Sequence, residues 1–371
     1  MDIVPLTKDL YPIWDEFCPT SDDAWFWHTS AWLEYTLNLK PESGSESRSF
    51  MLTDDSKVVA ICPLVLQKEE PAKNIAREFS YGGGPCFAPA FSKSLGEKKR
   101  KKAAEVLFGE IDRLAEQEEV KRITIRLSPL ANSFWESRVP NNYLLKFGFI
   151  DISLHTQVID LSEAPNRIWG NVRHGHKYDI NRAKRTLEMT ILHKGNVTAD
   201  DFRAYREMHH KAAGRVTRSL TTFEMMYDWI LTGNAVLALG KFEGNLAGAA
   251  YVMIDKGSAY YASAANDPDL PSTVPIGHGL QWKLIEWLRE NGCRRYELGS
   301  QQYGNLPHNF PSEKEIHISG FKRGFGGSTL PQFTGEKYYS REYFIKVCSE
   351  RMSRFAGTIQ GDRHAVKIGA E

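Results

Sequence analysis

The sequence predicts an α+β fold built from two similar domains with mixed central sheets. Predicted strands and helices recur in the same order in both halves of the chain, namely a hairpin, a strand, a helix and a final strand. The 371 residues are enough for two domains of ordinary size. We expect a first domain at 1–158, a second at 159–335 that carries the donor and catalytic site, and a C-terminal helix and tail at 336–371.

The first half opens its repeat with a hairpin. Apolar residues predict strands at 49–52 and 58–66, joined by the turn Asp54-Asp55-Ser56. Apolar residues between Ala104 and Leu114 recur at helical spacing, and a strand follows at Arg122–Leu127. This half therefore supplies one complete strand, helix and strand unit.

The second half repeats that order. The predicted elements are strands at 235–239, 246–254 and 259–263, a helix whose apolar face runs from Leu280 to Leu288, and a strand at Arg295–Leu298. Glu243-Gly244-Asn245 supplies the hairpin turn, and Gly292 is well placed to end the helix. Two similar domains are the interpretation we favour.

Composition excludes several classes of protein. The chain is 42% hydrophobic and 25% charged, which is typical of a globular protein, and its net charge of +1 gives no global attraction to nucleic acid or to an anionic membrane. Its five cysteines are scattered, so we expect reduced thiols, no metal site and no cofactor. No segment resembles a signal peptide or a transmembrane helix, which predicts a cytoplasmic protein or one bound peripherally at the inner membrane face.

The turn before the second-half helix is the first candidate site. Gly277, His278 and Gly279 lie in the run Val274–Leu280. Glycines let a ligand approach the backbone closely, and the free amides of a helix N-terminus attract anions. We predict donor binding here, although glycine is also common in plain loops that connect a strand to a helix.

A basic segment from Arg167 to Arg185 is the second candidate. Arg173, Lys177 and Arg182 lie on the polar side of a partly apolar stripe. Arginine side chains bind phosphate oxygens in pairs, so we predict that these three residues hold acceptor phosphates. A solvated basic face explains the segment equally well.

The third candidate supplies acid–base chemistry. Acylation of an amine needs a group that takes the amine proton and a cation that stabilises the oxyanion. Glu297 and Glu315 are the predicted proton acceptors, with His317 as an alternative, and Lys322 is the predicted cation. Alternation over Glu315–Phe321 predicts a strand, and an exposed strand edge is the simpler interpretation of any one of these residues.

Two first-half segments receive no assigned chemistry. The run Lys98–Lys102 begins a helix, where cations oppose the helix dipole, and a solvated face is the better interpretation than contact with a membrane or tRNA. The loop Tyr81-Gly82-Gly83-Gly84-Pro85 fits a packing loop or an acceptor-site loop better than a second donor site.

Together these segments resemble a known family. Trp169–Arg185, the turn before Leu280-Gln281-Trp282, the strand entry Gly292–Tyr296 and above all Phe321–Gly327 are similar to the FemABX peptidyltransferases, and equally to GNAT acyltransferases found beside bacterial surface-polysaccharide genes. The resemblance is best from about residue 155 to 335. It implies tandem GNAT-like domains, and it implies that Lys322 helps to position or stabilise the reacting carbonyl.

The resemblance implies transfer of an acyl group from acyl-CoA or aminoacyl-tRNA, as co-substrate, to an amine of a nucleotide-linked or lipid-linked cell-envelope precursor. The acceptor would be an amino-sugar or a peptide. No sustained heptad pattern supports the long coiled-coil arm of some Fem proteins. Two alternatives remain: a non-catalytic GNAT-like module that binds a glycan precursor, and an RNA-binding protein that uses the basic segment. The identity of the donor and the oligomeric state stay open.

Overall fold

The computed structural model describes residues 1–41, 44–68, 76–82, 84–136 and 140–361. Gly83 of the glycine loop and residues 362–371 of the predicted tail lie outside these ranges. The α-helices are α1 (Tyr11–Phe17), α2 (Ser30–Asn38), α3 (Glu97–Gln117), α4 (Asn132–Glu136), α5 (Pro165–Asn171), α6 (His174–Thr186), α7 (Ala199–Ala213), α8 (Leu220–Thr232), α9 (Ile276–Glu290), α10 (Glu313–Arg323) and α11 (Arg341–Gly361).

The strands form mixed sheets beside these helices, which confirms the predicted α+β class. They are β1 (Asp2–Pro5), β2 (Glu46–Ser47), β3 (Phe50–Asp54), β4 (Lys57–Cys62), β5 (Val65–Gln67), β6 (Glu78–Phe79), β7 (Cys86–Phe87), β8 (Ala90–Phe91), β9 (Arg122–Arg126), β10 (Ile150–Asp151), β11 (Leu154–Asp160), β12 (Leu187–Leu192), β13 (Ala235–Phe242), β14 (Asn245–Asp255), β15 (Ser258–Asn266), β16 (Arg295–Gln301), β17 (Ser328–Gln332) and β18 (Thr334–Tyr338).

The described strands form three sheets. In the first half, one sheet has the order β1-β3-β4-β8, and another has the order β10-β18-β9-β6-β5-β2 with β7 also paired to β9. The second half has one sheet, β12-β13-β14-β15-β16-β11-β17. Strand β18 follows the second-half sheet in sequence but pairs with β9 of the first half. The domain limits at 158 and 335 stay predictions. Strand β11 spans the first limit, and β18 spans the second and pairs with the first half.

The duplicated order is present in the structure. Each half has a hairpin whose turn residues adopt positive φ angles, Asp55 and Ser56 in the first half and Glu243 and Gly244 in the second. Such turns match the twist of the strands that they join. In both halves a parallel pair of strands then flanks the helix, β6 with β9 and β15 with β16.

Separate apolar cores support the halves, and a third core joins them. One core lies beneath α3, and another beneath α6 and α9. The joining core combines aromatic residues before and within α2, such as Trp25 and Trp27, with residues of α8 and β14, such as Trp229 and Tyr251. Burial of large aromatic side chains is the main source of stability at such a boundary.

The described residues contain no helix that is long and apolar enough to cross a membrane. All five cysteines are free thiols, and four of them are buried.

Candidate active site

The candidate site lies where two strands of the second-half sheet separate. Strands β15 and β16 pair in parallel only from Ser258 to Tyr260 and from Arg295 to Glu297. Beyond these pairs the strands diverge, and a cavity of about 600 Å³ opens between β14 and β15, the start of α9, and α10. A cavity of this size is in the range that binds small ligands.

The start of α9 forms one wall of the cavity. Gly277 and His278 line it, as the sequence predicts for donor-binding residues. Among the described residues no acceptor bonds to the backbone amides of these two residues. A β-carbon on Gly277 would lie 3.2 Å from the Phe321 ring, so glycine allows α10 to approach closely. These two amides are therefore open to an anionic or carbonyl oxygen in the cavity.

Gly279 occupies a different environment from the other two residues. Its amide donates to the Pro275 carbonyl oxygen at 3.1 Å, and it is buried against α6. A β-carbon here would lie 2.8 Å from both Ala183 Cβ and Met189 Sδ. The structure therefore gives Gly279 a packing role between α9 and α6, away from the cavity.

Lys322 lies near the end of α10 and lines the cavity. A β-carbon built on Gly299 would lie 3.1 Å from Lys322 Nζ and 3.7 Å from the Tyr260 hydroxyl, which places both groups on the same side of β16. Gly299 has a φ of +87°, so glycine is favoured there for its backbone conformation as well. Burial lowers the pKa of Lys322, and the Glu297 carboxylate acts against that shift.

Glu297 is buried beside Lys322, with 1% of its surface exposed. Tyr296 and Leu298 face the core beneath α9, so Glu297 points to the opposite face of the sheet. Thr156 Oγ1 donates to its Oε1 at 2.7 Å, and Gln332 Nε2 lies 3.5 Å from the same oxygen.

Burial raises the pKa of Glu297 to about 7, while the Thr156 hydroxyl and the cations of Arg126 and Lys322 oppose the increase. A carboxyl group with this pKa can accept a proton at neutral pH and release it again. The structure thus brings the predicted proton acceptor Glu297 and the predicted cation Lys322 together.

Two further groups lie near Glu297 and Lys322 that the sequence pattern did not predict. Arg126, on β9 of the first half, contributes a positive charge near Glu297. Tyr260 pairs with Glu297 across the two strands, and burial, followed by the Glu297 charge, raises the pKa of Tyr260 to about 12. Alternation in Arg122–Arg126 places Arg126 opposite the apolar face, but nothing in the sequence pattern links it to β16.

The strand predicted at Glu315–Phe321 is wrong, because these residues belong to α10. Ser312 and Glu315 form a reciprocal capping box, in which Ser312 Oγ accepts from the Glu315 amide and the Glu315 carboxylate accepts from the Ser312 amide at 2.8 Å. This pattern is a helix-start signal that outweighs the local alternation. The Glu315 side chain caps the helix and does not line the cavity.

Of the three predicted phosphate-binding residues, Arg182 lines the cavity and the other two do not. Arg182 lines the cavity and donates to Asp179 Oδ1 at 3.1 Å and to the Thr273 carbonyl oxygen. Arg173 is exposed at the start of α6, and Lys177 Nζ donates to the Gly170 carbonyl oxygen at 3.0 Å. Only Arg182 therefore faces the same space as Lys322, on the side of the cavity where α9 begins.

His278 adds a neutral polar group to the wall of the cavity. Its ring lies 4.5 Å from that of His176, which is buried and whose Nε2 is 2.9 Å from the Phe321 carbonyl oxygen. Burial, together with the His176 ring, lowers the pKa of His278 to about 4. At neutral pH, His278 contributes no charge to the cavity.

Comparison with known proteins finds one family match in the second half of the chain and similar folds among solved structures. The acetyltransferase (GNAT) domain family matches residues 171–308. The crystal structure of FemX is similar with a TM-score of 0.65 at 14% identity, over 94% of this chain and all of that chain. No curated protein matches the chain in a sequence search.

Two further solved structures are similar in fold. The structure of L-PGS from Bacillus licheniformis has a TM-score of 0.53 at 13% identity, over 87% of this chain and 96% of that chain. The C-terminal domain of a lysylphosphatidylglycerol synthetase from Agrobacterium fabrum, so described provisionally, has a TM-score of 0.53 at 14% identity, over 87% of this chain and 92% of that one. At these identities the similarity shows a shared fold.

Proposed function

We propose that this chain, whose residues 171–308 match the acetyltransferase (GNAT) domain family and whose fold is similar to that of FemX, acylates an amine of a cell-envelope precursor. The donor would be acyl-CoA or aminoacyl-tRNA, and the acceptor an amino-sugar or a peptide. One observation carries the proposal. Burial raises the pKa of the Glu297 carboxyl group to about 7, this group lies near the cation of Lys322, and Lys322 lines a cavity that begins at the free amides of α9.

The arrangement supports direct transfer without a covalent enzyme intermediate. The Glu297 carboxylate takes a proton from the acceptor ammonium, and the freed amine attacks the donor carbonyl carbon. The Lys322 ammonium stabilises the negative charge that develops on the carbonyl oxygen. The C–S bond of acyl-CoA or the C–O bond of the aminoacyl ester then breaks, and the Tyr260 hydroxyl, which keeps its proton at neutral pH, protonates the leaving thiolate or ribose oxygen. The second proton of the attacking nitrogen restores the Tyr260 hydroxyl.

The donor enters from the other end of the cavity. The amides of Gly277 and His278, together with the Arg182 guanidinium, form a positive wall for phosphate or carbonyl oxygens. Both donor classes carry phosphates near the transferred carbonyl, so this wall suits either one.

The test is to supply labelled acyl-CoA or aminoacyl-tRNA together with candidate amino-sugar and peptide acceptors. Formation of a labelled amide product is then measured. The Lys322→Ala variant should lose at least about 100-fold in kcat/KM, the size of effect seen when one oxyanion donor is removed, and should still bind the donor. Lys314→Ala, an exposed lysine of the same helix, is the matched control.

Several outcomes would contradict the proposal. Turnover with none of these donors would exclude transfer. Binding of the acceptor without any donor, measured by thermal shift, would favour a non-catalytic module. Binding of RNA that falls steeply with salt and is unaffected by Lys322→Ala would favour the RNA-binding alternative.

A further inference from the structure

The first half contains a cavity that the acyl-transfer site does not use. It has a volume of about 1350 Å³ and lies along α3. It opens where the first-half sheets divide, since β7 pairs with β9 whereas β8 turns back to pair with β4. Ala88 and Pro89, the two residues between β7 and β8, line it.

This position repeats that of the candidate active site within the duplicated fold. Both cavities lie where a strand leaves its parallel partner, β7 leaving β9 and β15 leaving β16, and both are bordered by the helix that precedes the second strand of the pair, α3 or α9. The cavity at α3 is the larger of the two, and its volume exceeds the usual range of about 300–1,000 Å³ for small-molecule sites. Its size therefore suits an extended ligand.

Apolar side chains form most of the cavity wall. These side chains come from α3, from the strands and from the segment after β9, which contributes aromatic residues. The apolar lining includes Phe91, Ala104, Phe108, Leu127, Phe134 and Phe147. Such a wall binds an aliphatic chain through the area that it removes from water.

Gly109 marks the side of α3 that faces this cavity. It lies in the middle of the 21-residue helix, where glycine costs about 1 kcal/mol relative to alanine. A β-carbon at this position would meet nothing within 4 Å, and Gly109 is not among the glycines with positive φ. Neither packing nor backbone geometry therefore requires glycine here, whereas the close approach of a ligand to the helix would.

Cations occupy the end of the cavity where α3 begins. Lys98 and Lys101 line it, and neither forms an ion pair with any residue in the described ranges. Arg100 also lines it but is held by both carboxylate oxygens of Asp23, at 2.9 and 2.8 Å. The acidic side chains of Glu97 and Glu105 share the lining, so the charge is mixed rather than purely basic. The two lysines lie in the first two turns of α3, where the helix dipole also favours an anion.

We propose that this cavity is a second ligand site, which binds the chain of an amphiphile whose phosphate group lies between Lys98 and Lys101. The site is separate from the proposed acyl transfer and needs neither Glu297 nor Lys322. A membrane phospholipid, an isoprenoid phosphate and a long-chain acyl-CoA all present this chemistry. A solvated face is the simpler interpretation of the sequence at Lys98–Lys102. The proposed site gives two of these lysines, Lys98 and Lys101, a role in binding phosphate.

Calorimetric titration with dodecyl phosphate below its micelle concentration tests the site in the full chain. We expect saturable binding that Gly109→Leu weakens at least tenfold, because the leucine side chain fills the space beside the helix. Gly109→Ala, which adds one methyl group and favours the helix, is its matched control and should retain most of the affinity. Circular dichroism establishes that each variant is folded.

The charge contribution is tested separately. The Lys98→Ala/Lys101→Ala double variant should lose at least fivefold in affinity for dodecyl phosphate but not for dodecanol. Lys102→Ala, on the same helix but outside the lining, should bind as the unaltered chain does. Competition with palmitoyl-CoA, farnesyl phosphate and phosphatidylglycerol vesicles then distinguishes the three sources.

Two results would overturn the site, and neither depends on acyl transfer. One is the absence of saturable binding, or its full retention in Gly109→Leu. The other is loss of dodecyl phosphate binding in Lys322→Ala, which would place the ligand in the acyl-transfer cavity. Unchanged binding in Lys322→Ala supports the second site even if no transferase activity is found.

Discussion

Glu297, the proposed proton acceptor, lowers the stability of the folded chain at neutral pH. Its carboxyl group is buried among Thr156, Gln332 and the Lys322 ammonium, and burial raises its pKa to about 7 from an ordinary value of 4.5. Between these two pH values the folded chain binds a proton that the unfolded chain has released. The free energy of unfolding therefore falls as pH rises through this window, by about 3 kcal/mol in total for this one group.

The Glu297→Gln variant should remove that pH dependence. At pH 8 we expect it to be more stable than the unaltered chain by about 3 kcal/mol, and at pH 4.5 the difference should nearly vanish. The amide oxygen still accepts from Thr156, so the local hydrogen bond is kept. Urea unfolding at both pH values measures the difference, and equal destabilisation at both would contradict the raised pKa. Acyl transfer should be lost in this variant although it is more stable, as expected for a proton acceptor.

At the scale of single elements, the start of α9 separates two glycines that look equivalent in the sequence. Gly277 and His278 border the cavity, whereas Gly279 packs against Ala183 and Met189. In a helix, residues two positions apart point to different sides. One turn of helix therefore borders the cavity on one side and supports the core on the other.

Gly279→Ala tests this division. The added methyl group would overlap Ala183 Cβ and Met189 Sδ, so the free energy of unfolding should fall by about 1–3 kcal/mol. Gly170→Ala, where a β-carbon meets nothing within 4 Å, is the matched control. Unfolding in urea and donor affinity are both measured. A weaker donor affinity at unchanged stability would return Gly279 to the donor-binding role that the sequence predicts.

The capping box of α10 gives a second test at this scale. Because the Glu315 carboxylate accepts from the Ser312 amide and hydroxyl, its pKa lies below the usual range. Glu315→Gln retains an accepting oxygen and should keep transferase activity within about twofold, whereas Ser312→Ala should cost about 1 kcal/mol of stability. Kinetics and thermal unfolding check the two parts. Loss of turnover in Glu315→Gln without loss of stability would restore it as the proton acceptor.

At the scale of the whole molecule, a lysine joins the two halves. Lys256, in the turn between β14 and β15, donates to the carbonyl oxygens of Cys18, Ser21 and Ala24 at 2.6, 2.7 and 2.8 Å. Beside it, the Trp25 indole donates to the Asp255 carbonyl oxygen at 3.0 Å. These contacts fix the first half against the sheet that carries Tyr260 and Glu297, and so they help to hold Arg126 near the site.

Lys256→Met should weaken the contact between the halves. It keeps most of the side-chain volume but leaves three carbonyl oxygens without their donor, which we expect to cost about 3 kcal/mol. Lys241→Met, an exposed lysine on β13, should change stability by less than about 0.5 kcal/mol. Limited proteolysis and denaturant unfolding measure the effect. Equal stability of the two variants would show that the three carbonyl hydrogen bonds do not hold the halves together.

The sequence by itself determined the elements and the duplication. The hairpin turns, the helices α3 and α9 and the strands β9 and β16 follow from apolar periodicity and turn residues, which act over a few positions. It also supplied Glu297 and Lys322 as candidates. Where two local signals competed, as at Glu315, the alternation was misleading and the capping box decided the structure.

Only the tertiary structure decided which candidates meet. Burial raises the pKa of Glu297, and Thr156, Arg126, Lys322 and Gln332 limit the increase. These groups are distant from Glu297 in the sequence and come together only because the strands pair and the halves pack. The same packing places Arg182 and Gly277, but not Arg173, Lys177 or Gly279, in the wall of the cavity. Burial and neighbouring charge set the chemistry of a side chain, and both are properties of long-range contacts that a local sequence pattern does not contain.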